Sequence, residues 1–368
     1  MATSNENAYP STLGSPKGKK DTVSSQPARP DTSTSPKTET TVMPLIWESL
    51  ESRGLSEPAS KLILQSWRKS TRQQYKPFIA KWEQYCGSRK INPFSASIEQ
   101  GINFLAELFQ TGLGYSALNT ARSALSTILV MRDQLTFGQH PLVCRFMKGI
   151  FESRPSLPRY HETWDVTIVL KYLAGLGPPE SLSFKNLTLK VVMLMALLSG
   201  QRRQTLHSFN LDTMKLSSDK CVFVIQSLLK TSKPGKHLSF VEFQAYSPDV
   251  CLCVVKHLEQ YIYQTQDKRS TEKQLLISFQ KPHKAVSVDT ISRWIKTVLQ
   301  QAGIDTKVFG AHSTRSASTS AAKANSVSLE TIMKSAGWSQ ESTFTKYYQM
   351  PIVSQHNFGQ ELLEKCSQ

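Results

Sequence analysis

Apolar residues recur at three- and four-residue spacing through the first half of the chain, a pattern that predicts amphipathic helices. One stripe runs from Tyr75 to Cys86, a second from Ile98 to Phe109, and a third from Tyr115 to Leu129. Pro77 interrupts the first stripe and predicts either a kink or a helix that starts later than Ser70. The pattern therefore predicts one helical domain over residues 43–152.

The hydrophobic period changes in the second half of the chain. Two short runs, Cys221–Ile225 and Leu238–Phe243, read as strands, and Pro234-Gly235 lies in the turn between them, so we predict a hairpin. The flanking segments have helical periodicity, and the predicted helices are residues 166–174, 184–199, 250–264, 287–302, 314–324, 328–335 and 342–348. The whole pattern predicts a mainly α fold with a small antiparallel sheet.

The segments outside these patterns define the predicted domain boundaries. Residues 1–42 are rich in Ser, Thr, Pro, Asn and Lys and have hardly any large apolar side chain, so we expect a disordered tail. Its basic cluster Pro16–Lys20 fits either a nuclear-import signal or solvated charge. Residues 153–160 contain two prolines and two arginines and are predicted to be an exposed linker, which leaves residues 161–368 as a second domain.

Charge narrows the class of partner. Lys and Arg outnumber Asp and Glu by 44 to 28, which gives a formal net charge of +16 and a pI near 9.5. Because the excess is spread along the chain, it favours a polyanion such as DNA over a merely soluble basic protein. Two polar or basic sets in the helical domain are candidate contacts to a DNA backbone, although each also fits an ordinary solvated face. These residues are Arg68, Lys69, Thr71, Arg72, Asn119, Arg122, Ser123 and Ser126.

Cysteine and apolar content exclude other classes. The six cysteines lack the regular spacing of a disulfide scaffold, which favours a reducing compartment. Cys251, Cys253 and His257 lie close in sequence, but three ligands without a second pair more often indicate buried thiols, so we predict no metal site. The longest apolar run, Val191–Leu198, is too short to span a bilayer, and we expect no membrane segment.

The candidate chemistry is concentrated near the C-terminus. His312 and Arg315 are three residues apart, so in the first turn of a helix they point to the same side. Arg202 follows an apolar run that can fix its position. Two planar guanidiniums, an imidazole, and an indole and a phenol further along the chain could surround one phosphodiester without a metal ion.

These residues, taken in order, resemble a known family. Arg202, a lysine-rich hairpin, His312-x-x-Arg315, Gly337-Trp338 and Tyr347 make the region from about 160 to 355 similar to the catalytic domain of tyrosine recombinases, the phage integrase family. The preceding helical region resembles the core-binding, SAM-like domain of that family. Segments 199–206, 229–236 and 337–339 look closest to the recombinases of DIRS-type and Ngaro-type retroelements.

The resemblance implies how the phosphate is held. Arg202, rather than its neighbour Arg203, matches the first arginine of the family and Arg315 the second, and together they would stabilise the charge of a pentacoordinate transition state. His312 would hydrogen-bond the phosphate and accept the proton of the nucleophile. Trp338 stands where many members have a second histidine, and it would position and pack. The sequence departs from the family three residues after Arg202, where Thr205 replaces a common carboxylate.

The resemblance also implies which residues break and make bonds. Tyr347 lies nine residues after Trp338, as the family nucleophile does, so we predict that Tyr347 attacks and that Tyr348 packs. Lys230 occupies the position of the lysine that protonates the departing 5′ oxygen, and Lys233 and Lys236 of the same turn are alternatives.

The function that the resemblance implies is site-specific DNA recombination. A 3′-phosphotyrosyl intermediate would form without metal, cofactor or ATP, on double-stranded DNA, in a homotetramer that is nuclear in a eukaryote and otherwise cytoplasmic. Three alternatives remain open from the residues. These are a type IB topoisomerase with the same chemistry, a catalytically inactive DNA-binding protein derived from a mobile element, and a basic helical adaptor.

Overall fold

The computed structural model describes residues 44–129, 135–156, 161–235 and 237–353. It divides into two units between Ser156 and Leu157, within the segment predicted as the linker. The predicted tail at residues 1–42 lies outside the described residues, as do Lys236 and residues 354–368. No helix in the described ranges combines the length and apolar character needed to cross a membrane.

The first unit is helical and is built on the three predicted apolar stripes. Trp82 is fully buried, stacks on Tyr85 at 5.5 Å between ring centroids, and meets Phe104 edge-on at 5.1 Å. The helices of the first unit are α1 Pro44–Glu51, α2 Glu57–Gln65, α3 Lys69–Arg89, α4 Ile98–Gln110, α5 Tyr115–Ile128 and α6 Pro141–Ser153. The helix α3 starts at Lys69 and continues through Pro77, so the later start is wrong. Pro77 is exposed, so the carbonyl that loses its hydrogen bond can meet water.

The second unit surrounds one buried helix. Its helices are α7 Val166–Gly175, α8 Phe184–Ser199, α9 Arg203–His207, α10 Val254–Thr265, α11 Val288–Gln301, α12 Ser313–Ala324, α13 Leu329–Ala336 and α14 Glu341–Tyr347. Helix α8 packs against α10, α11 and α12, and its residues from Leu187 to Leu197 are all buried. Apart from Thr188 and Lys190, the side chains of this stretch are apolar on every side of the helix, which requires such a central position.

The sheet of the second unit has one strand more than predicted. Strands β1 Met214–Leu216, β2 Lys220–Val224 and β3 Phe240–Gln244 pair antiparallel in that order. Phe223 on β2 stacks on Phe209 at 4.2 Å between ring centroids, so the buried face of the sheet packs against the segment that follows α9. The predicted hairpin is confirmed, whereas β1 is too short to show an alternating pattern. The mainly α fold with a small antiparallel sheet is confirmed.

His257, on α10, is a fully buried titratable group. Its Nδ1 lies 2.8 Å from the carbonyl oxygen of Cys253, and its Nε2 has no partner among the described residues. Burial, assisted by the charge of Lys190, lowers the pKa of His257 to about 4. Cys253 is buried as predicted, whereas Cys251 is half-buried.

We expect His257 to make the protein less stable in acid. Between its ordinary pKa of 6.5 and the folded value of about 4, the unfolded chain binds a proton that the folded chain excludes. The contribution of His257 to the free energy of unfolding is therefore fully present above the ordinary pKa. The free energy of unfolding falls by roughly 3 kcal/mol as the pH drops through this window. Calorimetric melting of the full chain across the window should show a shallower pH dependence for His257→Leu. The exposed His161→Leu serves as control and should leave the slope unchanged; equal slopes in all three proteins would contradict the assignment.

Candidate active site

Two helices of the second unit end beside the same guanidinium. Helix α8 is capped by Gly200 at φ +57° and α13 by Gly337 at φ +67°, both in the left-handed region that favours glycine. Arg315 Nη1 donates to the carbonyl oxygen of Gly200 at 2.8 Å, and Nη2 donates to that of Ala336 at 2.7 Å. A cation at two helix C-termini satisfies carbonyls that lack partners within their own helices.

Arg315 is nearly fully buried, with an exposed fraction of 2%. Its Cζ lies 4.3 Å from the ring centroid of Trp338, and its Nε has no partner among the described residues. Desolvation and the charge of Arg202 lower the pKa of Arg315 to about 9, so the group is still charged at neutral pH. No described carboxylate pairs with it. A buried, uncompensated cation of this kind favours an anionic ligand.

Arg202 supplies a second cation, and its surroundings distinguish it from Arg203. Arg202 caps the start of α9, is half-buried, and makes no side-chain hydrogen bond to the described residues. Arg203 is exposed and its Nη1 donates to Ser292 Oγ on α11 at 2.8 Å. The guanidinium of Arg202 therefore remains available for a ligand, while that of Arg203 is held by a neighbouring helix.

His312 caps α12, one turn before Arg315. The residue as a whole is exposed, yet partial burial of the ring lowers the pKa of His312, and the charges of Arg315, Arg202, Arg203 and Lys230 lower it further. The imidazole is therefore neutral at neutral pH and can accept a proton. Its Nε2 lies 3.3 Å from the hydroxyl oxygen of Tyr348.

The structure brings Tyr348, and not the predicted Tyr347, into this cluster. The Tyr348 ring lies 4.6 Å from the Trp338 ring and 5.2 Å from Arg315 Cζ. Tyr347 is 57% exposed, and the contact of its ring is with Lys346 Nζ at 5.4 Å. Helix α14 ends at Tyr347, so Tyr348 lies just outside the helix.

Lys230 lies in the turn between β2 and β3. Its side chain is exposed, and its backbone N–H donates to Gln204 Oε1 at 3.2 Å, which ties the turn to α9. The charge of Lys230 contributes to the lowered pKa of His312. Within the part of the chain that the structure describes, no cluster of His, Cys, Asp or Glu could hold a metal ion.

A polar frame that the sequence pattern did not indicate holds the two capped helix ends together. Gln201 is buried and its Nε2 donates to the carbonyl oxygen of Ser335, while Ser335 Oγ donates to the carbonyl oxygen of Ser199 at 2.9 Å. Trp338 is 8% exposed and packs on Phe344 at 5.5 Å, and its Nε1 has no partner among the described residues. The two hydrogen bonds of Ser335 join residues more than a hundred positions apart, so the periodicity of the sequence does not indicate them.

The polar face predicted on α5 is partly occupied within the first unit. Ser126 Oγ accepts from the Gly138 N–H at 2.9 Å and donates to the Arg122 carbonyl oxygen at 2.8 Å, and Ser123 Oγ donates to the Asn119 carbonyl oxygen at 2.9 Å. A short 3-10 helix at 137–139 packs there. All four residues are half-buried, so the face is not an ordinary solvated surface.

The second predicted contact set lies at the start of α3, as expected. Lys69 is the first residue of α3 and is exposed, and Thr71 is half-buried. Arg68 caps the helix, and both Arg68 and Arg72 make contacts within the chain. Of this set, Lys69 presents the most open charge to a ligand.

The fold and site together describe a mainly helical unit that surrounds a cluster of cationic side chains with a histidine and a tyrosine at its edge. Residues 179–351 match the model of the phage integrase family, the family of tyrosine recombinases. The helical fold with its three-stranded sheet matches solved tyrosine recombinase structures. No curated protein sequence matches the chain.

Two solved structures illustrate the likeness of fold. The XerH site-specific recombinase bound to its difH substrate, in a pre-cleavage complex, has a TM-score of 0.56 at 12% identity, over 88% of this chain and 95% of that one. The Tn1549 transposon integrase in complex with transposon right end DNA has a TM-score of 0.54 at 11% identity, over 89% and 99% of the respective chains.

We expect the two arginines to differ in their effect on stability. Arg315→Ala leaves two helix-terminal carbonyls without a charged donor and should destabilise the fold by about 2–5 kcal/mol. Arg202→Ala removes a cation that makes no hydrogen bond to the described residues and should change stability by less than about 0.5 kcal/mol. Inorganic phosphate, compared with chloride at equal ionic strength, should raise the melting temperature of the unmodified chain more than that of Arg202→Ala.

The Arg202→Ala variant is also the control for the general stabilisation that phosphate gives to folded proteins. Equal phosphate-induced shifts in the two proteins would show that Arg202 takes no part in an anion site.

Proposed function

We propose that this protein is a site-specific DNA recombinase that cleaves and rejoins DNA strands through a covalent phosphotyrosyl intermediate. The observation that carries the proposal is the buried guanidinium of Arg315, which pairs with no described carboxylate and lies near the ring of Tyr348, whose hydroxyl contacts His312. A structural arginine would be expected to pair with a carboxylate, and this one leaves donors unused.

The chemistry follows from the positions of the cations. A scissile phosphate between Arg202 and Arg315 would receive hydrogen bonds from two planar forks, which match its nonbridging oxygens. The pentacoordinate transition state carries more negative charge than the phosphodiester, so these contacts strengthen as the reaction proceeds. The cations are side chains of the chain itself, so the proposed mechanism has no step that needs a metal ion.

A tyrosine of the pair Tyr347–Tyr348 supplies the nucleophile. The spacing from Trp338 assigns attack to Tyr347, while the geometry brings Tyr348 to His312. Neutral His312 takes the phenolic proton, and Lys230, whose charge reaches the cluster, protonates the departing 5′ oxygen. The 3′-phosphotyrosyl bond retains the energy of the broken phosphodiester, so rejoining to another 5′-hydroxyl consumes no ATP.

The partner is double-stranded DNA. The net charge of +16 supports this, and the structures compared above are of a transposon integrase in complex with DNA and of a site-specific recombinase bound to its difH substrate. Exchange between two duplexes breaks four strands, and each break requires one nucleophile, so we propose a homotetramer. Backbone contacts from the first unit, with Lys69 as the most open candidate, would make binding fall steeply with salt.

We further propose that the protein derives from a DIRS-type or Ngaro-type retroelement and acts in the nucleus of a eukaryote. The segments 199–206, 229–236 and 337–339 support this narrower assignment. Reverse-transcriptase coding sequence next to the gene in the source genome is the observation that tests it.

The proposed chemistry predicts a covalent protein–DNA adduct. We would offer the full chain a pool of nicked duplexes with a randomised centre, in which loss of the short strand beyond the nick prevents rejoining. An adduct should survive denaturation, form equally in EDTA, and disappear in the double variant Tyr347→Phe/Tyr348→Phe. Loss on chelation, or an adduct from the double variant, would contradict the mechanism. Binding without any adduct would favour the inactive DNA-binding protein.

A further inference from the structure

We infer that Tyr348, and not Tyr347, is the nucleophile. This inference rests on the proposed function and deepens it, because the spacing in the sequence selects the other tyrosine. Three observations carry it: the reach of each hydroxyl, the way the backbone is held, and the point at which α14 ends.

The first observation is which side chains each tyrosine contacts. The Tyr348 hydroxyl lies 3.3 Å from His312 Nε2, and the two rings meet edge-on at 5.9 Å between centroids. The same ring lies against Arg315 and Trp338, at 5.2 Å and 4.6 Å. One tyrosine thus contacts a proton acceptor, a phosphate-binding cation and the indole at once. No described contact of Tyr347 reaches His312, Arg315 or Trp338.

The second observation is that the backbone of Tyr348 is held on both sides. Ser320 Oγ donates to the Tyr348 carbonyl oxygen at 2.8 Å and accepts from the Met350 N–H at 3.0 Å. Ser320 lies on α12, the helix that also carries Arg315, so the same helix fixes the positions of the tyrosine and the arginine. On the other side, the Tyr348 N–H donates to the carbonyl oxygen of Phe344 at 2.8 Å.

The chain is anchored again just beyond this point. The Thr163 N–H donates to the Pro351 carbonyl oxygen at 2.8 Å, and the Val353 N–H donates to the Thr163 carbonyl oxygen at 2.9 Å. Exchanging the two tyrosines requires a rotation of about 100° if the helix is continued. That rotation would break both bonds of Ser320 and withdraw Phe344, which is fully buried.

The third observation is the point at which α14 ends. Counting nine positions from Trp338 to Tyr347 rests on the spacing in the family alone and takes no account of where the helix stops. Here α14 ends at Tyr347, and Tyr348 has φ −132° and ψ −23°, outside the helical region. Its side chain therefore turns inward at a position that helical geometry would send elsewhere.

The resulting step balances in atoms and charge. The Tyr348 hydroxyl oxygen forms a bond to the scissile phosphorus while the bond from phosphorus to the 5′ oxygen breaks. The phenolic proton passes to His312 Nε2, and Lys230 gives a proton to the departing 5′ oxygen. One phosphodiester replaces another, so the step uses no oxidant, reductant or nucleotide.

The test maps the modified residue on the full, unmodified chain. Adducts captured on the randomised nicked duplexes are digested with nuclease and protease, and mass spectrometry locates the tyrosine that carries the nucleotide. We expect it on Tyr348, which requires no variant to fold. In parallel, Tyr348→Phe should lose the adduct while still binding the duplex and melting as the unmodified chain does. Its matched control, Tyr347→Phe, should keep the adduct.

Nucleotide on Tyr347, or an adduct lost in Tyr347→Phe and kept in Tyr348→Phe, would overturn the inference and leave the proposed recombinase function intact. Failure of the unmodified chain to form any adduct would instead remove the proposed function, and the inference with it.

Discussion

The guanidinium of Arg315 connects the helices that form the site, and its environment determines what the site can do. Transfer of a cation from water to a protein interior costs several kcal/mol, and hydrogen bonds to two helix-terminal carbonyls and the face of Trp338 offset part of that cost. Each charge-assisted bond contributes about 1.5–3 kcal/mol. No described carboxylate pairs with Arg315, and the charge of Arg202 repels it, so a bound anion would offset the remaining cost.

The same arrangement places the titratable groups. Repulsion among the cations, together with partial burial, keeps His312 neutral, so it is ready to accept a proton from a phenol. The two glycine caps allow α8 and α13 to end beside one another, and Ser320 connects the arginine helix to the tyrosine. Positive charge that is positioned before the substrate binds is typical of electrostatic catalysis.

The sequence predicted those features of this arrangement that depend on local pattern. Apolar periodicity indicated the buried faces around Trp82, the apolar run ending at Gly200 indicated the central helix, and alternation indicated the hairpin. The helical spacing of His312 and Arg315 placed them together. Strand β1 was missed because three residues are too few to show a period.

Features that depend on contacts between distant residues could not be read from the sequence. Packing of residues 137–139 against α5 occupies the Ser126 hydroxyl, and Arg315 finds its two carbonyl acceptors 115 and 21 residues away. The position of the tyrosine depends on where a seven-residue helix stops, and such boundaries are set by tertiary contacts such as that of Ser320.

In the proposed mechanism, Arg202 and Arg315 neutralise charge on the scissile phosphate. A methylphosphonate at that position of a selected duplex removes one negative charge while preserving the reacting bonds, so one arginine becomes dispensable. The decisive measurement is the rate of covalent adduct formation by Arg202→Ala on the two duplexes. We expect a loss of about 10²–10³-fold on the ordinary phosphodiester and recovery of most of that loss on the methylphosphonate. An equal loss on both duplexes would contradict it.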